Sequence, residues 1–180
     1  SDLFFYVGGE SDDWVGSLLA DMNPKRIVKM LDLVSNLKLE EHVEGMEEEK
    51  HEEHDEHEEE YDEHVWLSLK NAQLFVSAIA DSLSQADIAH ADAYAANAVA
   101  YNKQLAQLDA AYQSAVDAAP IKTVLFADRF PFRYLVDDYG LSYYAAFSGC
   151  SADTQASFDT IIFLADKVNR SEERRVGKEC

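Results

Sequence analysis

At 180 residues the chain has room for one domain of ordinary size or for pieces of two, and 47% apolar residues are enough to give most of it a core. The formal net charge of −20 excludes nucleic acid and anionic membrane surfaces as partners and suits a protein that attracts cations. No apolar run approaches membrane-spanning length and the start carries no signal-peptide pattern; Ser1 is followed almost at once by the strand-like LFFYV, so the chain reads as beginning inside a domain.

Residues 3–7, LFFYV, are apolar and aromatic and run into Gly8-Gly9, the pattern of a buried strand entering a loop. Ser11 is placed to cap a helix with Trp14, Val15, Leu18, Leu19 and Met22 on one face, stopped by Asn23-Pro24. Residues 26–34 return to strand-like content. Strand, helix and strand in this order predict a parallel crossover unit of an α/β layer.

An acidic tract interrupts that layer. Residues 40–66 read EEHVEGMEEEKHEEHDEHEEEYDEHVW, with Lys50 as the one basic residue. Residues 40–60 bury too little apolar surface to offset the entropy of ordering, which predicts a mobile, solvated loop. Acidic runs alone serve as solubilising segments. His42, His51, His54 and His57 add imidazole at a density that makes a weak, multidentate zinc site.

From 67 to 83 apolar residues recur at helical spacing. Residues 87–119 then run without Gly or Pro, with Tyr94, Ala98, Tyr101, Leu105, Leu108, Tyr112, Ala115 and Ala119 as one apolar stripe. Such a helix is on the order of 50 Å long at about 1.5 Å per residue, a coiled-coil arm or a spine joining two lobes. His90 reads as a surface histidine. After Pro120 the α/β pattern resumes: a strand at 123–127, a helix at 130–138 stopped by Gly140, a strand at 141–147, and a last helix at 153–168 with Phe158, Ile161, Ile162, Leu164 and Ala165 inward. The predicted fold class is α/β, two small parallel-sheet lobes joined by one long rigid helix. The divisions are 1–86 with the loop 40–60, 87–119 for the joining helix, and 120–169 for the second lobe. Residues 170–180, RSEERRVGKEC, leave the helical pattern and resemble the translation of a sequencing-adapter stretch, so they are set aside with Cys180. That leaves Cys150 alone, which supports no internal disulfide.

With these pieces placed, SDLFFYVGGESDDW, the His/acid loop, DEHVWLSLKNA and VLFADRFPFRYLVDDYGLSYYAAFSGCSADTQASF together resemble the extracytoplasmic substrate-binding proteins of zinc-type metal ABC transporters, cluster A-I. Asp62-Glu63-His64-Val65-Trp66-Leu67 is similar to the family's Asp-Pro-His-x-Trp-Leu, in which the histidine is a metal ligand. Glu63 stands where the family has Pro, which is expected to loosen the turn and leave the imidazole in place. The resemblance implies that His64 is a first ligand. It also puts Arg129 at the usual second-lobe histidine position. A guanidinium does not ligate zinc, whereas Asp128 beside it can; Asp128 as a ligand and Asp128 as an ion-pair partner of Arg129 or Arg133 are both open. The family's other ligands fall upstream of Ser1 and beyond Asn169. What the resemblance implies is Zn(II) binding, with Mn(II) possible where carboxylates dominate, by a monomeric periplasmic or lipid-anchored (lipoprotein) protein that delivers to a membrane permease. A metal buffer or adhesion-type protein on the same fold is the alternative. A metal-dependent enzyme is remote, because no HExxH, Ser-His-Asp or phosphate-loop pattern is present.

Overall fold

The strand–helix–strand pattern of each half forms as a parallel unit. The computed structural model describes residues 2–22, 24–47, 61–149 and 155–176, with side chains through 170. In the first lobe β1 (Leu3–Tyr6) pairs in parallel with β2 (Arg26–Lys29), Leu3 opposite Arg26 and Tyr6 opposite Lys29. α1 (Val15–Met22) crosses between them. In the second lobe β3 (Thr123–Phe130) pairs in parallel with β4 (Ser142–Ser148) across α4 (Arg133–Tyr139), with a register irregularity between Phe126 and Arg129. Between the lobes lie α2 (Leu69–Ala86) and α3 (Ala91–Ala118), and α5 (Phe158–Val176) closes the described chain.

Several boundaries differ from the sequence reading, each for a physical reason. Ser11 caps nothing: it sits in a tight 3-10 turn at Glu10–Asp12, and its N–H and hydroxyl both donate to Glu63. Of the face expected for α1 only Val15 is buried, and Trp14 is 60% exposed. The strand expected over 26–34 stops at Lys29, because the chain turns through a 3-10 segment, Leu31–Leu33, that drives Leu31 into the core. α2 starts on Ser68, whose Oγ accepts from the N–H of Asn71 and so meets one of the unpaired amides of the first turn. Gly140 ends α4 at φ +63°, a left-handed position that glycine takes without a Cβ penalty.

The joining helix is part of a hairpin. The chain reverses over residues 87–90, and α3 runs antiparallel to α2: Ser84 reaches Ala91, while Asn102 Nδ2 donates to Gln73 O and to Ser77 Oγ. At 28 residues α3 is about 42 Å long. Its inner face keeps only part of the predicted apolar stripe, with Tyr94, Ala98, Leu105 and Ala119 turned inward. Leu105 and Val116 are buried, whereas Tyr101, Leu108 and Tyr112 are exposed. Asn102 and Asp109 occupy inward positions instead, Asn102 bonded to α2 and Asp109 accepting from the hydroxyl of Tyr139 at 2.8 Å. A polar side chain with a partner takes a core-facing position that a search for apolar residues passes over. α5 likewise turns Thr160, Phe163, Leu164 and Lys167 toward the sheet, and Phe158, Ile161 and Ile162 are exposed. Its helix runs on through Arg170 to Val176, past the point where the pattern was read to break, on a string rich in helix-forming Glu and Arg.

The largest departure concerns the acidic tract. Residues 40–47 were expected to be solvated loop, yet they lie as a strap on the second lobe. Met46 is 6% exposed and belongs to the core cluster of Phe130, Val136, Tyr143 and Ala145, with Val43 packed beside it. Glu47 N–H donates to Ala146 O at 2.9 Å, and Lys167 Nζ reaches Glu44. Two apolar residues among the acids are enough to anchor eight positions. Met46→Ala is therefore expected to lower unfolding stability by about 2–5 kcal/mol, the range for emptying a buried Met site. Urea unfolding followed by tryptophan fluorescence checks it, and a midpoint unchanged from the parent would return the strap to solvent.

Candidate metal centre

A buried carboxylate in the first lobe organises the site. Asp62 is 3% exposed, and its backbone is paired with Lys38 through Asp62 N–H to Lys38 O at 2.8 Å. The adjacent Leu39–Tyr61 bridge closes the root of the acidic tract. From there Asp62 Oδ1 accepts from the backbone N–H of His64 at 2.8 Å and lies 3.2 Å from His64 Nδ1. This Asx-type turn fixes the ring in place, with Nδ1–H toward the carboxylate and Nε2 left as the nitrogen for a metal. Glu63 does not loosen the turn. It is 8% exposed and takes the N–H and hydroxyl of Ser11, tying the turn to the loop after β1.

The ring faces the second lobe. A Cβ on Gly149, just past β4, would come within 3.0 Å of both His64 Cε1 and the Phe130 carbonyl, so that position is filled without crowding only by glycine. Trp66 covers another side at 5.3 Å between ring centroids. The recess next to it is lined by Glu40, Glu41 and Asp62 on one side and Arg133, Tyr143 and Gly149 on the other. Arg133 Nε stands 3.3 Å from Glu41 Oε2 as an ion pair, without the alignment of a hydrogen bond. Tyr143 OH reaches the same carboxylate at 3.3 Å, and burial pushes its hydroxyl pKa up, Glu41 adding to the shift.

The electrostatics favour a cation. The His64 pKa is raised above its ordinary value chiefly by the hydrogen bond to Asp62, burial opposing, with the charges of Asp62, Glu63 and Glu40 adding. In the metal-free protein that raised value means protonated His64 contributes stability in full below pH ~6.5, and the contribution is lost as pH rises through the folded value. A metal at Nε2 competes with the same proton.

The other candidate donors stand elsewhere. Asp128 is exposed at the β3 irregularity, its Oδ1 accepting from the N–H of Arg129 at 2.8 Å. The ion-pair partners found for Arg133 are Glu41 and Asp137. His42 is exposed on the strap with Nε2 2.8 Å from Glu47 O; His51, His54 and His57 lie outside the described residues. Among the described residues no three histidine, cysteine or carboxylate side chains gather into a cage. His90 is a surface histidine bonded to Asp87 at 2.8 Å, as read. Sequence reasoning passed over Asp62, Glu40 and Glu41, although Asp62 is the i−2 carboxylate of the His64 motif and could have been found from the Asx-turn pattern.

The fold has known counterparts. The profile of the family described as "ZnuA: Zinc-uptake complex component A periplasmic" matches residues 1–176. The chain belongs to this family. A curated relative, zinc-binding protein AdcA of Streptococcus pyogenes serotype M3, is 31% identical over 179 residues, which cover 94% of this chain and 34% of AdcA. Manganese-binding lipoprotein MntA of Halalkalibacterium halodurans is 27% identical over 142 residues, 78% of this chain and 42% of MntA. The crystal structure of Streptococcus pneumoniae AdcAII superposes with a TM-score of 0.70 at 23% identity, over 96% of this chain and 59% of AdcAII, and shares the fold. The chain thus spans about a third of the length of AdcA. Two parallel-sheet lobes with a long joining helix are the ZnuA-type architecture.

Asp62→Asn keeps the shape of the side chain and removes its charge. Zinc affinity at His64 is expected to fall about 10–100-fold, the usual range for loss of a partner behind a metal-binding histidine. The parent's affinity should decline with acidification from a pH above ~6.5, and the variant's decline should begin lower. Competition titrations between pH 5 and 8 report both; matching pH profiles would show that Asp62 does not set the basicity of His64.

Proposed function

We propose that this chain binds Zn(II) outside the cytoplasm, at the periplasmic or lipid-anchored cell-surface position that the family description and the MntA relative suggest, and that the whole protein delivers it to the permease of an ABC-type importer. The observation that carries the reading is the His64–Asp62 pair: an imidazole pre-oriented by a buried carboxylate that itself lines an acidic recess where two lobes meet. Preorganised donors hold a metal more tightly than donors on a chain that must first be ordered. His64 is accordingly the tight-site ligand of the first lobe, 1–86, and the second lobe, 120–169, faces it across the recess. His42, His51, His54 and His57 form the weak accessory set, and Asp128 is a second-lobe donor of lesser weight. A monomer suffices for this task, and nothing in it requires an enzyme.

A second reading takes Mn(II) as cargo. Glu40, Glu41 and Asp62 make the surroundings of His64 rich in oxygen, which suits manganese, and MntA is a relative. Titration of both metals against a coloured chelator separates the two. In the same assay His64→Ala is expected to abolish the tight zinc site, whereas deletion of 48–60, which spares Met46, should leave it intact and remove only weak binding. Retention of full tight affinity by His64→Ala would sink the assignment.

A further inference from the structure

The Lys38–Asp62 pairing at the root of the acidic tract is incomplete in one direction. Two residues facing each other in an antiparallel hydrogen-bonded pair ordinarily exchange two N–H to O=C bonds. Here Asp62 N–H donates to Lys38 O directly at 2.8 Å. The reciprocal bond is replaced by a hydroxyl: Lys38 N–H donates to Tyr134 OH at 3.1 Å, and Tyr134 OH donates to Asp62 O at 2.9 Å. Tyr134 belongs to α4 in the second lobe, yet it is 4% exposed and packs in the first lobe's core with Leu31, Val65 and Phe75. A second-lobe hydroxyl is therefore wedged into a first-lobe backbone pairing, at the residue whose carboxylate holds His64.

We infer that Tyr134 is a positioning residue for the metal centre: its hydroxyl, inserted between Lys38 and Asp62, sets the place of Asp62 and through it the orientation of His64, so that the docking of the second lobe fixes the first-lobe ligand. The inference rests on the reading of His64 as a metal ligand. Its physical basis is geometric. Both groups bridged by the hydroxyl are backbone atoms that need a partner, the Asp62 carbonyl buried and the Lys38 amide partly so, and direct closure of the pair without it would draw Lys38 and Asp62 together and move the Asp62 side chain. Next to the wedge, Lys38 Nζ pairs with Asp137 at 2.8 Å and Ser68 Oγ donates to Asp138 at 2.6 Å, so the turn of α4 that follows Tyr134 is held on the first lobe.

Tyr134→Phe retains the ring in the core and removes the hydroxyl alone. Tyr139→Phe is the matched comparison: Tyr139 lies on the same helix, is 5% exposed, and gives its hydroxyl to Asp109 on α3, away from His64. Each variant of the intact gene product is melted to confirm its fold, titrated with zinc against a chelator, and loaded with Co(II) for its ligand-field absorption. The expected result is about tenfold weaker tight binding and an altered Co(II) spectrum for Tyr134→Phe, by the scale of effects seen behind metal-ligating histidines, with both readouts unchanged for Tyr139→Phe. Equal losses in the two variants would make Tyr134 merely structural and overturn the inference. Parent-like affinity and spectrum in Tyr134→Phe, alongside loss of the tight site in His64→Ala, would overturn it and leave the metal reading standing. Full tight affinity in His64→Ala would overturn both.

Discussion

Burying a carboxylate is costly unless it finds donors, and the organisation around the cleft follows from the way Asp62 is held, side chain and backbone together. Its Oδ1 is satisfied by the backbone and ring of His64, its N–H by Lys38 and its carbonyl by Tyr134. The three contacts come from three segments: the turn that carries the imidazole, the residue just before the Leu39 bridge, and the helix of the opposite lobe. Glu63, the next residue, reaches a fourth segment through Ser11. The motif that resembles a ligand signature is therefore also the junction at which the first lobe is tied together.

The two lobes are held by an exchange of side chains as well as by the helical hairpin. Tyr134 leaves the second lobe for the core of the first, and Val43 and Met46 leave the first-lobe tract for the core of the second. Tyr139 on α4 adds a stacked contact with Tyr112 of α3 at 5.6 Å. Such interlocking argues for a cleft whose shape is set before metal arrives. It limits the loss of conformational freedom on binding, which is where a site with few donors gains affinity.

Charge is arranged in the same spirit. The chain carries 35 acidic against 15 basic residues, and the cations near the cleft, Lys38 and Arg133, are engaged by Asp137 and Glu41. The field around His64 stays negative, which attracts a divalent cation and raises the affinity of the imidazole for a proton by the same mechanism. Cation capture and acid sensitivity are thus one property. The root of the acidic tract is pinned by the Leu39–Tyr61 bridge.

From the sequence alone came the α/β class, the parallel pairing in both halves, the long helix and the surface position of His90, because strand and helix periodicity are local properties; a short motif likewise singled out His64 as the candidate ligand. Boundaries set by local chemistry, such as the Gly140 stop of α4, were legible in the same way. What the tertiary structure alone decided were the positions where a distant partner outweighs local preference. Asn102 and Asp109 face inward because Ser77 and Tyr139 wait for them, and Ser11 serves Glu63, 52 residues away, instead of starting a helix. Met46 orders an acidic strap because an apolar gap lies open in the other lobe, and Asp62 becomes the pivot of the site only once Lys38 and Tyr134 converge on it. Hydrogen bonds and packing between residues far apart in the chain leave no periodic trace in it; only folding brings the two ends of each interaction together.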